Sequence, residues 1–295
     1  MKLYSPATVK QIIDKYKFHF QKSLGQNFLI DGNIINKIVG SANINNQDVV
    51  LEIGPGIGTL TCALADKAAK VIVIELDKNL IVILKETLAG YNNIEVISGD
   101  ALKTNFDEIV SAKTDGQYGL GAKSYKVVAN LPYYITTPLI MHAMESRFNI
   151  DLMVFMIQKE VAARMVAPPG SKDYGALTLG VGYYSEPQLV ARVPKKVFMP
   201  QPEVESTVVS LKILDNPPVP VEREEVFFQV VRAAFGQRRK TLINALTGGM
   251  EGLDKNQIGQ ALSILEIDPE RRGETLSFQE FASIANLISR NKTKE

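Results

Sequence analysis

The sequence predicts an α/β protein with a doubly wound, mostly parallel sheet of seven strands, followed by a small all-α domain. Between residues 48 and 213, short β-branched runs alternate with segments of helical periodicity, which is typical of βαβ units. After residue 214, a proline-rich stretch gives way to apolar residues at helical spacing. A chain of 295 residues has room for one large domain and one smaller one.

The predicted strands are short runs rich in valine, isoleucine and leucine. They span residues 49–53, 71–75, 94–98, 126–129, 152–157, 188–193 and 207–213. In the C-terminal part, apolar spacing predicts helices at 226–235, 254–265 and 277–289. Ser277 and Glu280 form a capping-box pattern that fixes the start of the last helix.

Two segments interrupt these patterns. Prolines in residues 215–220 lack the donors that a central strand needs, so this stretch predicts a linker between a domain of residues 1–214 and one of residues 215–295. The glycine-rich stretch 111–124 predicts an exposed loop before the fourth strand. The tail, residues 290–295, is expected to fray.

Composition narrows the class of protein. A hydrophobic share of 45% and a charged share of 22% indicate a folded globular chain. One cysteine, Cys62, and two histidines, His19 and His142, exclude an internal disulfide and a usual structural zinc site, so we expect no metal. Without an apolar run of membrane-spanning length or a signal peptide, we expect a cytoplasmic protein with no membrane partner.

A glycine loop follows the first predicted strand. Gly54, Gly56 and Gly58 would let a ligand approach bare backbone at the start of a helix. Glu75 and Asp100 end or follow the next two strands, where a carboxylate can accept ribose hydroxyls. The pattern alone fits a dinucleotide, S-adenosylmethionine or a plain strand-to-helix turn, although its spacing and the two acids favour the methyl donor.

A second motif, Asn130-Leu131-Pro132-Tyr133, ends the fourth predicted strand. The Asn130 side-chain oxygen and the Leu131 carbonyl could each accept one N–H of an exocyclic amine, while Tyr133 stacks on the ring that carries it. Adenine N6 is a poor nucleophile, so catalysis depends mainly on holding the nitrogen with its lone pair directed at the methyl group. The motif therefore predicts adenine N6 methylation.

With these motifs in place, the chain resembles, over nearly its full length, the KsgA-type ribosomal RNA adenine N6,N6-dimethyltransferases, which are related to the Erm resistance methyltransferases. Besides the two motifs above, the resemblance rests on segments 25–29, 158–162, 168–175, 197–202 and 235–241. The chain departs from the family at Tyr134, where asparagine is frequent, and in the long 111–124 loop.

The resemblance implies a Rossmann-like class I methyltransferase domain, with helices in residues 1–47 where cofactor and RNA enter. It implies that two adjacent adenosines near the 3′ end of small-subunit ribosomal RNA each receive two methyl groups, from four molecules of S-adenosylmethionine, late in assembly of the subunit. We expect the protein to be a monomer. The implied cofactor-binding residues are Gln26, Asn27, Leu29, Gly54, Gly56, Glu75, Asp100, Ala101 and Asn130. The implied catalytic residues are Asn130, Leu131, Pro132, Tyr133 and Phe198, with Phe198 against the target base opposite Tyr133.

Alternatives remain open at this point: an Erm-like enzyme of the large subunit, a DNA adenine methyltransferase, and a non-catalytic assembly factor. The net charge of +1 does not by itself indicate an RNA partner, but the basic residues are grouped in three clusters along the sequence. The clusters are Lys2, Lys10, Lys15, Lys17 and Lys22; Arg192, Lys195 and Lys196; and Arg238, Arg239 and Lys240. Each is either solvated surface or an RNA phosphate contact, and the last could instead complement a helix dipole.

Overall fold

The computed structural model describes residues 2–21 and 24–292. The chain forms two compact units, one of Met1–Ala162 with Glu186–Ile213 and one of Ala163–Ser185 with Leu214–Glu295. The segment 163–185, which the sequence prediction places in the first domain, groups with the second unit. The predicted domain boundary between residues 1–214 and 215–295 stays a prediction.

A seven-stranded sheet lies at the centre of the first unit. The strands of this unit are β1 (Phe28–Leu29), β2 (Val49–Ile53), β3 (Lys70–Glu75), β4 (Ile94–Ser98), β5 (Tyr125–Asn130), β6 (Ile150–Gln158), β7 (Ser185–Val193), β8 (Phe198–Met199) and β9 (Ser206–Ile213). The order across the sheet is β4-β3-β2-β5-β6-β9-β7, with β1 and β8 forming a separate pair. The pairings from β4 through to β6 are parallel, and β6 with β9 is antiparallel.

The sequence of the central strands explains their position. All five residues of β2 are buried, as expected for a parallel strand covered on both faces. From β2 the chain first builds outward through β3 and β4, and then returns to place β5 on the other side of β2. The carboxyl ends of β2 and β5 therefore flank the switch point of the sheet, where open α/β sheets bind their ligands.

The helices of the first unit begin at side-chain caps in several cases. They are α1 (Pro6–Tyr16), α2 (Gly32–Ser41), α3 (Thr59–Ala65), α4 (Lys78–Thr87), α5 (Phe106–Lys113) and α6 (Thr136–Glu145). Asp31, Asp77 and Asn105 accept backbone N–H groups at the starts of α2, α4 and α5. A short helix, α7 (Lys159–Met165), follows β6.

The second unit is helical, as predicted. Its helices are α8 (Ala176–Tyr184), α9 (Glu224–Gly236), α10 (Leu242–Gly249), α11 (Lys255–Ile264) and α12 (Phe278–Lys292). Aromatic rings fill its core, with Phe227 stacked on both Tyr183 and Phe278. The predicted capping box is present, because Ser277 N donates to Glu280 Oε2 at 2.7 Å and Glu280 N donates to Ser277 Oγ at 3.2 Å.

The seven predicted strands are confirmed, but two local predictions are wrong. Residues 111–113 are not loop, because α5 continues to Lys113, and Thr114 beyond it is buried. Residues 290–292 are helical, since α12 extends to Lys292 and Arg290 Nε donates to Glu222 at 2.6 Å. Helix α10 and the short pair β1 and β8 were not predicted. Residues 293–295 lie outside the described residues.

Candidate active site

A cavity of about 220 Å³ opens at the carboxyl ends of β2, β3, β4 and β5. It lies in the first unit, at the switch point of the sheet. All of the predicted site residues line it: Gln26, Asn27, Leu29, Gly54, Gly56, Glu75, Asp100, Ala101, Asn130, Leu131, Pro132, Tyr133 and Phe198. The fold thus brings together in one site residues that are as far apart in the sequence as Gln26 and Phe198, 172 positions.

The glycine loop forms the floor of this cavity. Gly54 N donates to the Ile74 carbonyl at 3.0 Å, so the loop leaves β2 held against β3. Gly56 has a φ of +60°, and a Cβ there would lie 3.2 Å from the Phe28 ring. A glycine is needed at this position both for the left-handed backbone and for the close approach of the ring.

Two buried carboxyl groups lie on neighbouring strands at the cavity wall. Burial raises the pKa of Glu75 to about 7, although its Oε1 accepts the Asp77 N–H at 2.7 Å. Burial raises the pKa of Glu52 to about 8, and the nearby charge of Glu75 adds to this. Among the described residues nothing hydrogen-bonds to Glu52 Oε2. A buried carboxyl oxygen without a partner is costly even when the group is protonated, so this position is suited to a ligand that brings a polar or positively charged group.

Asp100 is a third acid that lines the cavity. Its Oδ1 accepts the Leu102 N–H at 3.0 Å, which starts a 3-10 turn over Ala101–Lys103. This turn buries Ala101 at the cavity lining. Lys103 lies 3.9 Å from Asp100 Oδ2, too far for a direct hydrogen bond, so that oxygen remains available at the cavity.

Residues 24–29, here called the strap, cross the cavity from the N-terminal side. Its end forms β1, which pairs with β8 so that Leu29 lies opposite Phe198. Phe28 is buried and packs 5.0 Å from Phe20, centroid to centroid. Within the strap, Asn27 Nδ2 donates to the Gly25 carbonyl at 3.0 Å. The strap therefore places Asn27 and Leu29 at one wall with Phe198 beside them.

The tetrapeptide lies at the rim, where β5 ends. Asn130 Nδ2 donates to the Asn27 carbonyl at 3.2 Å, which engages the amide nitrogen and leaves the side-chain oxygen for another group. The Leu131 N–H donates to Met156 O at 3.1 Å and fixes the Asn130–Leu131 peptide, which adjoins the Leu131–Pro132 peptide that carries the Leu131 carbonyl. Within residues 2–21 and 24–292, no donor meets the Leu131 carbonyl. Two acceptors are thus held by backbone contacts at the rim.

The aromatic residues of the site are fixed as well. The Tyr133 hydroxyl lies 2.8 Å from Ser206 Oγ on β9, and burial raises its pKa. Ser206 is buried, so this contact restrains the Tyr133 ring from behind. Phe198 is only 3% exposed but lines the same cavity. Two aromatic rings, Tyr133 and Phe198, thus line the same cavity.

Three further residues of the site were not predicted. Glu52 carries a usable signal in the sequence, an acid inside an apolar strand. Asp77 reads as a simple helix cap in sequence, and only the fold shows its contacts to Gln21 and Gln26. Tyr134, noted as a departure, lines the cavity and is 50% exposed.

The basic clusters are partly engaged within the protein. Lys15 pairs with Glu86 at 2.6 Å, and Lys195 donates to the Glu203 carbonyl. In the second unit, Arg238 donates to the carbonyls of Lys172 and Tyr174 at 3.0 and 2.9 Å. Lys22 lies outside the described residues. Because its guanidinium is bound within the protein, Arg238 is less available to contact RNA than its neighbours Arg239 and Lys240.

The remaining candidates are structural. Burial raises the pKa of the Cys62 thiol to about 11, which disfavours a nucleophilic role. His142 lies 3.2 Å from the Thr104 carbonyl and packs on Phe106. In the described part of the chain, no three His, Cys, Asp or Glu side chains are grouped to hold a metal ion. No described helix has the length and apolar character to cross a bilayer.

The fold and the site together define a Rossmann-like methyltransferase, with solved structures of the same architecture. The chain belongs to the ribosomal RNA adenine dimethylase family, which it matches over residues 17–290. This confirms the resemblance, the predicted fold class and the predicted class of enzyme.

Several relatives are similar over their full length. A protein of Alkaliphilus metalliredigens named ribosomal RNA small subunit methyltransferase A is 51% identical over 288 residues, 98% of each chain. The protein of the same name from Clostridioides difficile is 49% identical over 98% of this chain and 97% of its own. A dimethyladenosine transferase from Plasmodium falciparum, solved by crystallography, is 30% identical, with a TM-score of 0.74 over 90% of this chain and 98% of its own. The 23S rRNA methyltransferase ErmE, 24% identical with a TM-score of 0.65 over 88% of this chain and 98% of its own, shares the fold.

Proposed function

We propose that this protein uses S-adenosylmethionine to dimethylate N6 of two adjacent adenosines near the 3′ end of small-subunit ribosomal RNA, late in subunit assembly. The observation that carries this proposal is the pair of acceptors, Asn130 Oδ1 and the Leu131 carbonyl, at the rim of a glycine-floored cavity. The names of the relatives, which refer to the small subunit, support the choice of substrate.

The cavity lining suits the methyl donor. Glu75 would accept the ribose hydroxyls, Asp100 would accept the adenine amine, and Gly54 and Gly56 would lie against the ligand backbone. Glu52 Oε2 is an acceptor inside the same cavity, and the ammonium or sulfonium charge of this donor, once bound, would lower the raised pKa of Glu52 and favour its ionised form. Asn27, Leu29 and Ala101 would close the remaining walls, with Gln26 behind them.

The tetrapeptide would orient the amine. When bound, the donor supplies an electrophilic methyl group. Asn130 and Leu131 would each accept one N–H of adenine N6 and so direct its lone pair toward that methyl group. No basic side chain is required at the nitrogen, since a methylated aminopurine cation loses its proton readily to water or to one of these acceptors.

Aromatic contacts would hold the target base. Tyr133, restrained by Ser206, would stack on an adenine turned out of the RNA, and Phe198 would pack against it from the cavity side. Pro132 keeps the Leu131 carbonyl in a fixed direction. We propose that the enzyme acts as a monomer on the immature small subunit in the cytoplasm, without a metal.

Mass spectrometry of nucleosides from small subunits that lack the modification tests this function. After incubation with the protein and labelled S-adenosylmethionine, N6,N6-dimethyladenosine should appear in small-subunit RNA, with the label in both methyl groups. Label on large subunits instead would favour an Erm-like activity. Binding to small subunits without transfer would favour a non-catalytic assembly factor, and either result would overturn the proposal.

A further inference from the structure

We propose that Asp77 is a positioning residue that latches the strap, residues 24–29, over the cofactor cavity. Asp77 is 5% exposed and stands just beyond Glu75, at the start of α4. Its role deepens the proposed function, because the cavity it would close is the one assigned to S-adenosylmethionine.

Capping a helix does not account for the contacts of Asp77. Its Oδ1 accepts the Asn79 N–H at 2.9 Å, which is the whole of the cap. Its Oδ2 accepts Gln26 Nε2 at 2.8 Å and Gln21 Nε2 at 3.1 Å, from side chains 51 and 56 positions away. A cap needs one oxygen, and asparagine caps as well as aspartate does. The second oxygen therefore serves the N-terminal segment.

The orientation of the Gln26 amide is fixed from both ends. Its Oε1 accepts the Gln21 N–H at 2.8 Å while its Nε2 donates to Asp77. If the amide turned over, its NH2 would face the Gln21 N–H and its oxygen would face the Asp77 carboxylate, so both contacts would become repulsive. Gln26, predicted as a cofactor-binding residue, thus has both ends of its side-chain amide engaged within the protein.

Asp77 also contacts Glu75, which lines the cavity. Its backbone N–H donates to Glu75 Oε1 at 2.7 Å. Asp77 therefore orients Glu75, the carboxylate proposed to bind the ribose, and holds the strap through Gln26. The residue after Gln26, Asn27, accepts a hydrogen bond from Asn130 at its main-chain carbonyl. Through these contacts, cofactor and target sites would share one set of hydrogen bonds. In this latch two side-chain amides donate to one carboxylate oxygen. Exchanging the donor and the acceptor by substitution therefore tests it directly.

The experiment compares four chains by calorimetric binding of S-adenosylmethionine. In Asp77→Asn the cap oxygen remains, but an NH2 group faces two amide donors. Gln26→Glu places a second carboxylate against Asp77. We expect each single variant to bind S-adenosylmethionine about tenfold more weakly, as the loss of one charge-assisted hydrogen bond implies. In Gln26→Glu/Asp77→Asn the donor and acceptor are exchanged, and binding should recover to within about threefold of wild type.

Asp31→Asn is the matched control, because Asp31 is also an N-cap aspartate but lies outside the cavity. It makes the same charge change and should leave affinity unaltered. Hydrogen exchange of the strap amides is a second readout that needs no ligand, and it should accelerate in both single variants and recover in the double variant. Unchanged exchange, or no recovery in the double variant, overturns the latch. Wild type failing to bind S-adenosylmethionine while exchange follows this pattern would instead overturn the proposed function.

Discussion

Asn130 Nδ2 donates to the main-chain carbonyl of Asn27 at 3.2 Å, joining two segments 103 residues apart in the sequence. The contact fixes which end of the Asn130 amide faces the protein. Under the proposed function, the side-chain oxygen of Asn130, and not its nitrogen, would therefore face the substrate amine. Because adenine N6 carries two N–H donors, an oxygen at this point is the group that can orient it.

Replacing Asn130 by alanine should reduce kcat/KM for methyl transfer about 100-fold or more, a typical effect of removing one oriented polar group from a reacting centre. Transfer of labelled methyl groups to undermethylated small subunits measures this. The thermal unfolding midpoint should change little, since Asn130 is only partly buried at the rim. A variant that retains near-normal turnover would contradict the assigned role.

Asn130→Asp is the matched control for that prediction. It keeps an acceptor oxygen but replaces the donor to Asn27 with a second oxygen, which faces a carbonyl. We expect activity between that of wild type and Asn130→Ala. If Asn130→Asp were less active than Asn130→Ala, the side-chain oxygen would not be the useful group.

Tyr133 and Ser206 allow the stacking role to be separated from the hydroxyl contact. Tyr133→Ala removes the ring, and base stacking on aromatic side chains contributes about 1–3 kcal/mol, so KM for the RNA should rise about 5- to 150-fold. Tyr133→Phe and Ser206→Ala each remove only the 2.8 Å hydroxyl contact. These two should behave alike, with changes of about threefold or less in steady-state kinetics. A loss in Tyr133→Phe as large as that in Tyr133→Ala would argue against stacking.

Gly56→Ala should damage the cavity floor. A left-handed backbone costs an alanine about 1–2 kcal/mol, and the new Cβ would lie 3.2 Å from the Phe28 ring. We expect a lower unfolding midpoint and weaker S-adenosylmethionine binding, both measurable by thermal shift with and without the ligand. Gly90→Ala is a suitable control, because no atom lies within 4 Å of its added Cβ. Equal behaviour of the two variants would contradict the structural reason given for Gly56.

The sequence was sufficient to predict the sheet and the motifs that line the cavity, because both depend on local patterns. Buried parallel strands read as short apolar runs, and the motif Asn130–Tyr133 and the glycine loop are contiguous. It was not sufficient for the pairing of β1 with β8, because each strand is only two residues long and the paired residues Phe28 and Met199 are 171 positions apart. The role of Asp77 could not be predicted for the same reason. Its helix cap is a local feature, but its second carboxylate oxygen accepts a hydrogen bond from a segment distant in the sequence. Contacts of this kind depend on the folded chain rather than on periodicity.

The raised pKa of Glu52 predicts how stability varies with pH. Its pKa rises from 4.5 to about 8 on folding because the carboxyl group is buried. The folded state therefore holds a proton that the unfolded state releases between these values, and the stability present below about pH 4.5 is lost as pH rises toward 8. The slope reaches about 1.4 kcal/mol per pH unit for one group. Glu75, with a pKa of about 7, contributes with the same sign over a narrower range.

Glu52→Gln removes this group without changing its size. Chemical denaturation across the same pH range should give a flatter curve, and the variant should be more stable than wild type above about pH 8. Glu75 should still produce a decline up to about pH 7. An unchanged slope in Glu52→Gln would show that Glu52 is ionised in the folded protein.

The basic triplet after α9 should divide into one structural residue and two exposed ones. Arg238 donates to the Lys172 and Tyr174 carbonyls and lies 3.6 Å from Glu274, all within the second unit. Arg238→Ala should therefore lower the free energy of unfolding, by about 1–3 kcal/mol for hydrogen bonds from a charged group. Arg239 and Lys240 are exposed, and reversing both charges should leave stability nearly unchanged.

Salt dependence distinguishes the two roles. If Arg239 and Lys240 contact RNA phosphates, Arg239→Glu/Lys240→Glu should weaken binding to small subunits and flatten its dependence on salt, by about one unit of log–log slope per lost contact. Arg238→Ala should leave that slope nearly unaltered, because its guanidinium is already paired within the protein. A helix-dipole role for the triplet predicts the reverse, a stability loss in the double variant with an unchanged slope. Measuring affinity at several salt concentrations, alongside chemical denaturation of both variants, therefore decides between the phosphate-binding and helix-dipole roles.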